Sequence, residues 1–243
     1  GVNLGSLFCF AASGVRALAA ADVTPLPPPP PRFYETLREY LLATEGFAWW
    51  RAWADVRAQG ASFPSLEAFP PAAALLGRID HRTGVSSETL PFGDETFDLV
   101  YSVAALEHVP DPAGAVSEMR RALRPGGLAV HEIDLKHHGA DDPLKFLEWD
   151  DAEWKRRARL YGGDVSLSAI LGGSFGGEIF CNRLRRDDWL AVFRRAGFTV
   201  EAAEPVVRVH EARVRPERFA EPFRGRPVEE LSVLSLRVVA RRA

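Results

Sequence analysis

The stretch LPFGDETFDLVYSVAALEHVPDPAGAVSEMRRALRPGGLAVHEID, residues Leu90–Asp134, decides the fold of this chain. Within it, residues 96–101 form a short and mostly apolar run of β-prone side chains, which is typical of a strand buried on both faces of a parallel sheet. A second run of this kind follows at residues 128–133. The pattern predicts two neighbouring parallel strands, which require a crossover connection between them.

The segment between the two strands carries the signals of a crossover helix. Asp111 is a good N-cap residue, and Pro112 suits the first helical turn. Apolar residues then recur at helical spacing as far as residue 123, with charged residues on the other side. Arg124–Gly127, which is Arg-Pro-Gly-Gly, ends the helix and turns the chain. Strand, helix and strand together predict a right-handed βαβ unit.

Length and composition describe an ordinary globular protein. The 243 residues suit one α/β domain with insertions, and 47% of them are hydrophobic. The formal net charge of −3 gives no indication of nucleic acid as a partner, and no apolar run approaches the roughly 18 residues of a membrane span. Cys9 and Cys181 are too few for a disulfide scaffold, so we expect a reduced, cytoplasmic compartment and no membrane partner.

Several motifs of the central stretch occur in the order found in one family. LPF-x-D-x-x-FDLV, LEHV-x-DP and RxLRPGG resemble those of an S-adenosylmethionine-dependent methyltransferase of the class I, Rossmann-like kind, most closely over residues 79–134. The resemblance implies a doubly wound, mostly parallel seven-stranded sheet. Its closing antiparallel hairpin would come from residues 198–209 and 231–240. Another doubly wound α/β domain remains the alternative.

Under this resemblance, Asn3–Leu7 occupies the family's first motif, an acidic residue followed by G-x-G. Glycines are needed there because the backbone must approach the cofactor where a strand turns into a helix. Gly5 is kept, and the resemblance places Gly5 and Ser6 at the cofactor. Asparagine stands where the acid is expected, and leucine stands where the second glycine is expected.

The next two strands are expected at Ala21–Leu26 and Leu75–Asp80. In the family, an acid at the end of the first of these binds the ribose hydroxyls, and here that position falls near Pro27. The loop after the second lies by the adenine in the family. No acid is present at the matching position, but the hydroxyl of Ser86 or Ser87 could form a hydrogen bond there.

The residues that follow residue 101 are expected at the mouth of the site, because ligands of open α/β sheets bind beyond the carboxyl ends of strands. These are Ser102, Val103 and Glu107, which the resemblance places at the S-adenosylmethionine cofactor. His108 is the second choice of general base, since the unperturbed pKa of histidine lies near neutrality. The alternative is that Glu107 and His108 only fix this loop by hydrogen bonds.

The second strand ends in a cluster of polar residues. Alternation along a strand places His131 on one face, and Glu132 and Asp134 on the other. His138, oriented by Asp134, is the first choice of general base. A metal site formed by the three histidines and two carboxylates of residues 131–138 was considered, but the spacing is not that of a common metal motif. Solvated loop residues are the remaining interpretation, and we expect no metal.

A variety within the methyltransferase group carries H-x-x-DL-x-x-H after the glycine turn and NRxR later, matched here by His131–His138 and Asn182–Arg185. Arg183 and Arg185 alternate along the chain, so one of them could meet an anionic substrate group. A solvated arginine is the alternative.

The chain is expected to form a single domain of residues 1–243 with two insertions. One is the Pro/Trp-rich segment 27–75, and the other is a lid-like segment 139–185, inserted after the fifth strand and rich in glycine. The predicted function is methyl transfer from S-adenosylmethionine to a small molecule, either an anionic acceptor or a saccharide or other natural product. The alternative is a catalytically silent methyltransferase-like subunit that binds a partner protein. A homodimer is equally compatible with the sequence.

Overall fold

The computed structural model describes residues 5–12, 15, 17–23, 30–42, 71–138, 140–160 and 177–243. The chain divides into two compact units, residues 1–84 and 85–243. The first unit contains α1 (Gly5–Ala12), β1 (Leu18–Asp22), α2 (Pro31–Leu42), α3 (Ala72–Leu76) and β2 (Ile79–Thr83). Strands β1 and β2 pair in parallel, with Leu18 opposite Ile79 and Asp22 opposite Thr83.

The predicted strands of the first unit are wrong in position. The first described strand lies at Leu18–Asp22, so it begins three residues before the strand predicted at Ala21–Leu26, and residues 24–26 of that prediction lie outside the described residues. Residues 72–76, Ala-Ala-Ala-Leu-Leu, have high helix propensity and form α3, with Leu75 fully buried. The strand predicted at Leu75–Asp80 therefore begins only at Ile79.

The second unit contains most of the described elements. Its strands are β3 (Phe97–Val103), β4 (Leu123–Asp134), β5 (Ala158–Arg159), β6 (Glu178–Ile179), β7 (Phe198–Arg208) and β8 (Val233–Arg242). Its helices are α4 (Pro112–Ala122), α5 (Asp151–Arg157), α6 (Arg186–Arg195) and α7 (Val228–Leu231), with 3₁₀ turns at Leu106–His108, Lys145–Glu148, Glu211–Arg213 and Pro216–Arg218.

The βαβ unit predicted from the central stretch is confirmed. Strands β3 and β4 are adjacent and parallel, with Tyr101 opposite Val130. Helix α4 joins them, and the side chain of Asp111 caps it by accepting a hydrogen bond from the amide of Gly114 at 3.0 Å. The apolar face of α4, which includes Val116 and Met119, is buried against the sheet.

The two glycines after this helix have different functions. Gly126 has a φ of +78°, a left-handed conformation that side chains rarely adopt. A Cβ on Gly127 would lie only 2.9 Å from the carbonyl oxygen of Arg124, so the close approach of the backbone requires glycine. The RPGG sequence thus lies in the first part of β4, where the register with β3 shifts between Phe97–Leu123 and Leu99–Leu128.

The four-stranded sheet has the order β3-β4-β8-β7. Strand β8 is antiparallel to both of its neighbours, which confirms the closing antiparallel pair predicted from the sequence. The described strands are thus a parallel pair in the first unit, this four-stranded mixed sheet, and the short parallel pair β5–β6. None of the helices in the described part of the chain has the length and hydropathy that crossing a bilayer requires.

A second hydrophobic cluster lies beside the core of the main sheet. It includes Phe146, Leu147 and Trp154 from the segment predicted as a lid, packed with Phe219 and Phe223. The described first part of that segment is therefore built into a core. Residues 161–176 of this segment and the tryptophans of 49–53 lie outside the described residues, as do residues 2–4 of the first strand, which the resemblance ends at Gly5. Gly5 itself begins α1.

Candidate active site

The carboxyl ends of β3 and β4 hold the candidate site, as the sequence predicted. The hydroxyl of Ser102 at the end of β3 lies 2.7 Å from Nδ1 of His131 on β4. Ala104 then adopts a left-handed φ of +48°, which is uncommon for a residue other than glycine and turns the chain away from the sheet. Val103 is exposed at this edge, with 49% of its surface accessible. Ser102 and Val103 therefore occupy the position expected for cofactor contacts.

The 3₁₀ turn after β3 brings a carboxylate into the interior. Glu107 is 1% exposed, and neither of its carboxylate oxygens has a hydrogen-bond partner among the described residues. Burial raises the pKa of Glu107 to about 8, and the negative charge of Asp134 adds to this rise, while nearby backbone amides oppose it. A buried, unpartnered carboxylate of this kind is costly, and such groups concentrate at functional sites.

His108 follows Glu107 and has a defined tautomer. Its Nδ1 lies 2.7 Å from the carbonyl oxygen of Phe180, so Nδ1 carries the hydrogen and donates it. In the neutral ring, Nε2 then presents a lone pair, 3.7 Å from Oε1 of Glu107. Burial lowers the pKa of His108, although the bond to Phe180 opposes this effect. At neutral pH the ring is therefore uncharged.

The histidine that the sequence placed after β4 meets this turn. The rings of His138 and His108 are 4.9 Å apart, edge to face. Nε2 of His138 lies 3.7 Å from Oδ2 of Asp134, and Asp134 also pairs with Lys136 at 3.0 Å. Burial lowers the pKa of His138 to about 4, and the neighbouring His108 adds to this effect. His138 is thus free to accept a proton at pH 7, but it is a weaker base than an unperturbed imidazole.

His131 and His137 of the H-x-x-DL-x-x-HH region lie outside the cluster that Glu107, His108 and His138 form. His131 is fully buried against Phe193, and burial lowers its pKa to about 3. Nε2 of His137 lies 3.0 Å from Glu178, and its ring stacks on Phe146 at 5.5 Å in the second hydrophobic cluster. The polar run at residues 131–138 is therefore divided among three separate environments.

The two arginines considered for an anionic substrate group have other partners. Arg183 is 6% exposed, forms an ion pair with Asp151 and donates to the carbonyl oxygens of Phe146 and Trp149. The guanidinium of Arg185 is fully buried and donates to three backbone carbonyl oxygens, those of Leu135, Leu231 and Val233. The expectation that one of these arginines faces a substrate was wrong, and the alternative of a solvated arginine was wrong as well. Both guanidinium groups are buried and bind backbone carbonyl oxygens instead.

The first unit supplies further candidate residues. Gly5 and Ser6 are the first two residues of α1. Asp22 is the last residue of β1, and the resemblance requires an acid at the end of this strand. Asp22 is therefore the candidate for that acid, instead of the position near Pro27. The signal was present in the sequence as the acid that ends the apolar run LAAAD. In the second unit, the Ser86 hydroxyl bonds Glu88 at 3.2 Å.

Comparisons with known proteins agree with this arrangement. Residues 65–131 match the family model described as a methyltransferase domain. An uncharacterised methyltransferase from Mycobacterium sp. (strain KMS) is 41% identical over 80 residues, which cover 28% of this chain and 31% of that protein. A sterol 24-C-methyltransferase from Gibberella zeae is 49% identical over 110 residues, which cover 45% of this chain and 23% of that enzyme. The chain thus spans only about a third of these relatives, or less.

Among solved structures, an S-adenosylmethionine-dependent methyltransferase from Mesorhizobium loti is 23% identical. The comparison covers 81% of this chain and 87% of that chain, with a TM-score of 0.40. An overlap this loose carries no argument, so the assignment rests on the sequence matches, the βαβ unit and the closing antiparallel strand. On these grounds, the chain is similar to methyltransferases over residues 65–131, the segment that matches the methyltransferase-domain model.

Proposed function

We propose that this chain transfers a methyl group from S-adenosylmethionine to a small-molecule acceptor. The observation that carries the proposal is the methyltransferase-domain match over residues 65–131, which includes Glu107 and His108 beyond the end of β3. The reaction of the family is an in-line displacement, in which an acceptor atom attacks the methyl carbon and the thioether leaves. The protein contributes chiefly proximity and orientation to such a step.

We assign cofactor contacts separately in each unit. In the first unit, Gly5 and Ser6 at the start of α1 and Asp22 at the end of β1 are the proposed contacts, with the Asp22 carboxylate accepting hydrogen bonds from ribose hydroxyls. In the second unit, the proposed contacts are Ser102 and Val103, together with Ser86. Glu107, which the resemblance also placed at the cofactor, is 1% exposed, and we assign it to the interior cluster.

The full sheet of the family has seven strands, and we infer the same architecture here. Within the second unit, the four-stranded mixed sheet β3-β4-β8-β7 supports this inference. The predicted first strand lies outside the described residues. We keep the single domain of residues 1–243 as a prediction.

Where the acceptor must lose a proton, His138 is the proposed base and His108 the second choice. Both rings are neutral at pH 7 because burial lowers the pKa of each. Asp134, 3.7 Å from His138, stabilises the imidazolium that forms when His138 takes up the proton. Burial disfavours the charged imidazolium and so makes His138 a weak base. We therefore expect the positioning of acceptor and cofactor to supply most of the rate acceleration.

Calorimetric titration of the full chain with S-adenosylmethionine and S-adenosylhomocysteine tests the proposal. We expect binding of both, and we expect Asp22→Asn to weaken it by about tenfold, the effect of losing one hydrogen bond to a charged group. Glu39→Gln, which changes an exposed carboxylate on α2, is the matched control and should leave the affinity unchanged. A wild-type chain that binds neither ligand would support the catalytically silent subunit instead.

A further inference from the structure

The side chains of Glu107, His108 and His138 meet in one group beyond the ends of β3 and β4, the polar cluster. The ligand atoms of Glu107, His108 and His138 all lie within 4.8 Å of one another. In the described part of the chain, the two carboxylate oxygens of Glu107 have no hydrogen-bond partner. The same holds for Nε2 of His138. Buried acceptors are normally satisfied, so this grouping needs an explanation.

The orientation of His108 is that of a metal-binding imidazole. Its Nδ1–H donates to the carbonyl oxygen of Phe180 at 2.7 Å, which directs the lone pair of Nε2 toward Glu107. Histidines that bind metals generally hold the second nitrogen in such a hydrogen bond, because the bond fixes the tautomer and the ring. Cys181 lies on the other side of this ring, with Sγ 3.9 Å from Nδ1, so its sulfur is not directed at the cluster.

A shared proton does not account for the cluster. A strong hydrogen bond between a carboxyl group and an imidazole has an oxygen–nitrogen distance of about 2.7–2.9 Å. The distance from Oε1 of Glu107 to Nε2 of His108 is 3.7 Å, and the distance from Oδ2 of Asp134 to Nε2 of His138 is also 3.7 Å. These separations leave room for an atom that binds several acceptors at once.

We propose that Glu107, His108 and His138 bind one divalent transition-metal ion, for which zinc is the reference. Two imidazoles and a carboxylate are a ligand set for zinc and for ferrous iron, whereas Mg²⁺ and Ca²⁺ prefer oxygen ligands alone. At zinc–ligand distances of about 2.0–2.1 Å, the ligand atoms are roughly 3.4 Å apart, so the side chains close by about 1.5 Å or less.

The site is accessible to an ion and leaves a coordination position open. The side chains of His108 and His138 are 18% and 20% exposed, while the Glu107 side chain is 2% exposed. The ion thus enters from the histidine side and reaches a carboxylate that is already desolvated. Three protein ligands are the number found where a metal keeps a position for water or substrate.

This inference goes beyond the proposed methyl transfer and does not depend on it. A metal bound to Nε2 of His138 would occupy the lone pair that proton abstraction requires. The metal-loaded and metal-free forms should therefore differ in any step that uses His138 as a base. Metal binding itself is measured without cofactor or acceptor, so the failure of one proposal is distinguishable from the failure of the other.

The test is titration of the chelator-treated full chain with ZnCl₂ by calorimetry, and with CoCl₂ by visible absorption. We expect one ion per chain and d–d bands of a low-coordinate Co²⁺ site without a thiolate charge-transfer band. Glu107→Gln and His138→Ala should each weaken the affinity by about 100-fold. His210→Ala removes an exposed histidine outside the cluster, and it is the matched control that should bind as the wild type does.

Three results would overturn the proposal. One is the absence of saturable binding of one Zn²⁺ per chain to the wild type. Another is an unchanged affinity for Zn²⁺ in Glu107→Gln or in His138→Ala, provided that the variant keeps the circular dichroism spectrum of the wild type. The third is a thiolate band in the Co²⁺ spectrum, which would place Cys181 among the ligands. If both variants fail to fold, the wild-type stoichiometry and Co²⁺ spectrum decide between the outcomes.

Discussion

Replacing Arg185 by methionine tests the finding that this arginine stabilises the fold instead of binding substrate. The guanidinium is fully buried and links the carbonyl oxygen of Leu135, just after β4, to those of Leu231 at the end of α7 and Val233 at the start of β8. Methionine keeps a long apolar stem but donates no hydrogen bond. The substitution therefore leaves three carbonyl oxygens without this donor.

The expected loss of stability follows from those contacts. A buried polar group that loses its partner costs about 1–3 kcal/mol. Removing the guanidinium also removes the cost of desolvating its charge, but we expect the three carbonyl oxygens without a donor to cost more than this gain. We expect a net loss of about 3–5 kcal/mol in the free energy of unfolding. For a protein of this size, each kcal/mol lowers Tm by about 2–4 °C, so Tm should fall by roughly 6–20 °C.

Urea and thermal unfolding followed by tryptophan fluorescence measure this change, because Trp189 is fully buried in the same core. Arg186→Met is the matched control, since the side chain of Arg186 is 37% exposed and its carboxylate partner, Asp187, lies 3.6 Å away. We expect the control to stay within about 0.5 kcal/mol of the wild type. If Arg185→Met matched this control and instead weakened acceptor binding, Arg185 would be a substrate residue.

His131→Gln should flatten the pH dependence of stability. Burial lowers the pKa of His131 from 6.5 to about 3, so the folded state binds fewer protons than the unfolded state between these values, and stability that is present above pH 6.5 is lost as the pH falls. Between pH 6.5 and 5, His131 should lower the free energy of unfolding of the wild type by about 2 kcal/mol. Urea unfolding of the variant at the two pH values should lack this contribution. His138→Ala, assayed in chelator, should lower turnover about a hundredfold to ten-thousandfold without changing cofactor affinity, and a fall in Tm with turnover intact would mark His138 as structural. Asn182→Ala should lower stability by about 1–3 kcal/mol in the same unfolding assay, because the carbonyl oxygens of Leu106 and Val109 lose their amide donor, and an unchanged midpoint would contradict this.

The elements that the sequence predicted correctly are those with signals confined to neighbouring residues. Asp111 and Pro112 mark the beginning of α4, and the two glycines at 126 and 127 mark its exit. The alternation of His131 and Glu132 between buried and half-buried faces also follows from strand geometry alone. Such features need no knowledge of the rest of the chain.

The features that were mispredicted depend on competition between segments. In residues 72–76, helix propensity outweighed the apolar pattern that suggested a strand. Asp22, which we propose as the acid for the ribose hydroxyls, was missed because the strand was predicted three residues late, so that Asp22 fell inside it instead of at its end. The destination of Arg185 depends on which carbonyls the tertiary fold leaves unpaired, and spacing along the sequence does not contain that information.

One relation between the motifs becomes visible only in three dimensions. The amide of Asn182 donates to the carbonyl oxygen of Glu107 at 2.7 Å, and its side-chain amide donates to those of Leu106 and Val109. Phe180, two residues earlier, holds His108. Asn182 of the NRLR segment thus fixes the LEHV turn by three hydrogen bonds, and the carbonyl oxygen of Phe180 adds a fourth.

Arg185, at the end of the same segment, binds the carbonyl oxygen of Leu135 in the H-x-x-DL-x-x-H motif. Three motifs far apart in the sequence therefore form one hydrogen-bonded structure around Glu107, His108 and His138. Backbone carbonyl groups of the LEHV turn and of Leu135 are thus satisfied by side chains of the NRLR segment. The two arginines thus stabilise the structure, whereas Glu107, His108 and His138 are the residues that we propose as the functional cluster.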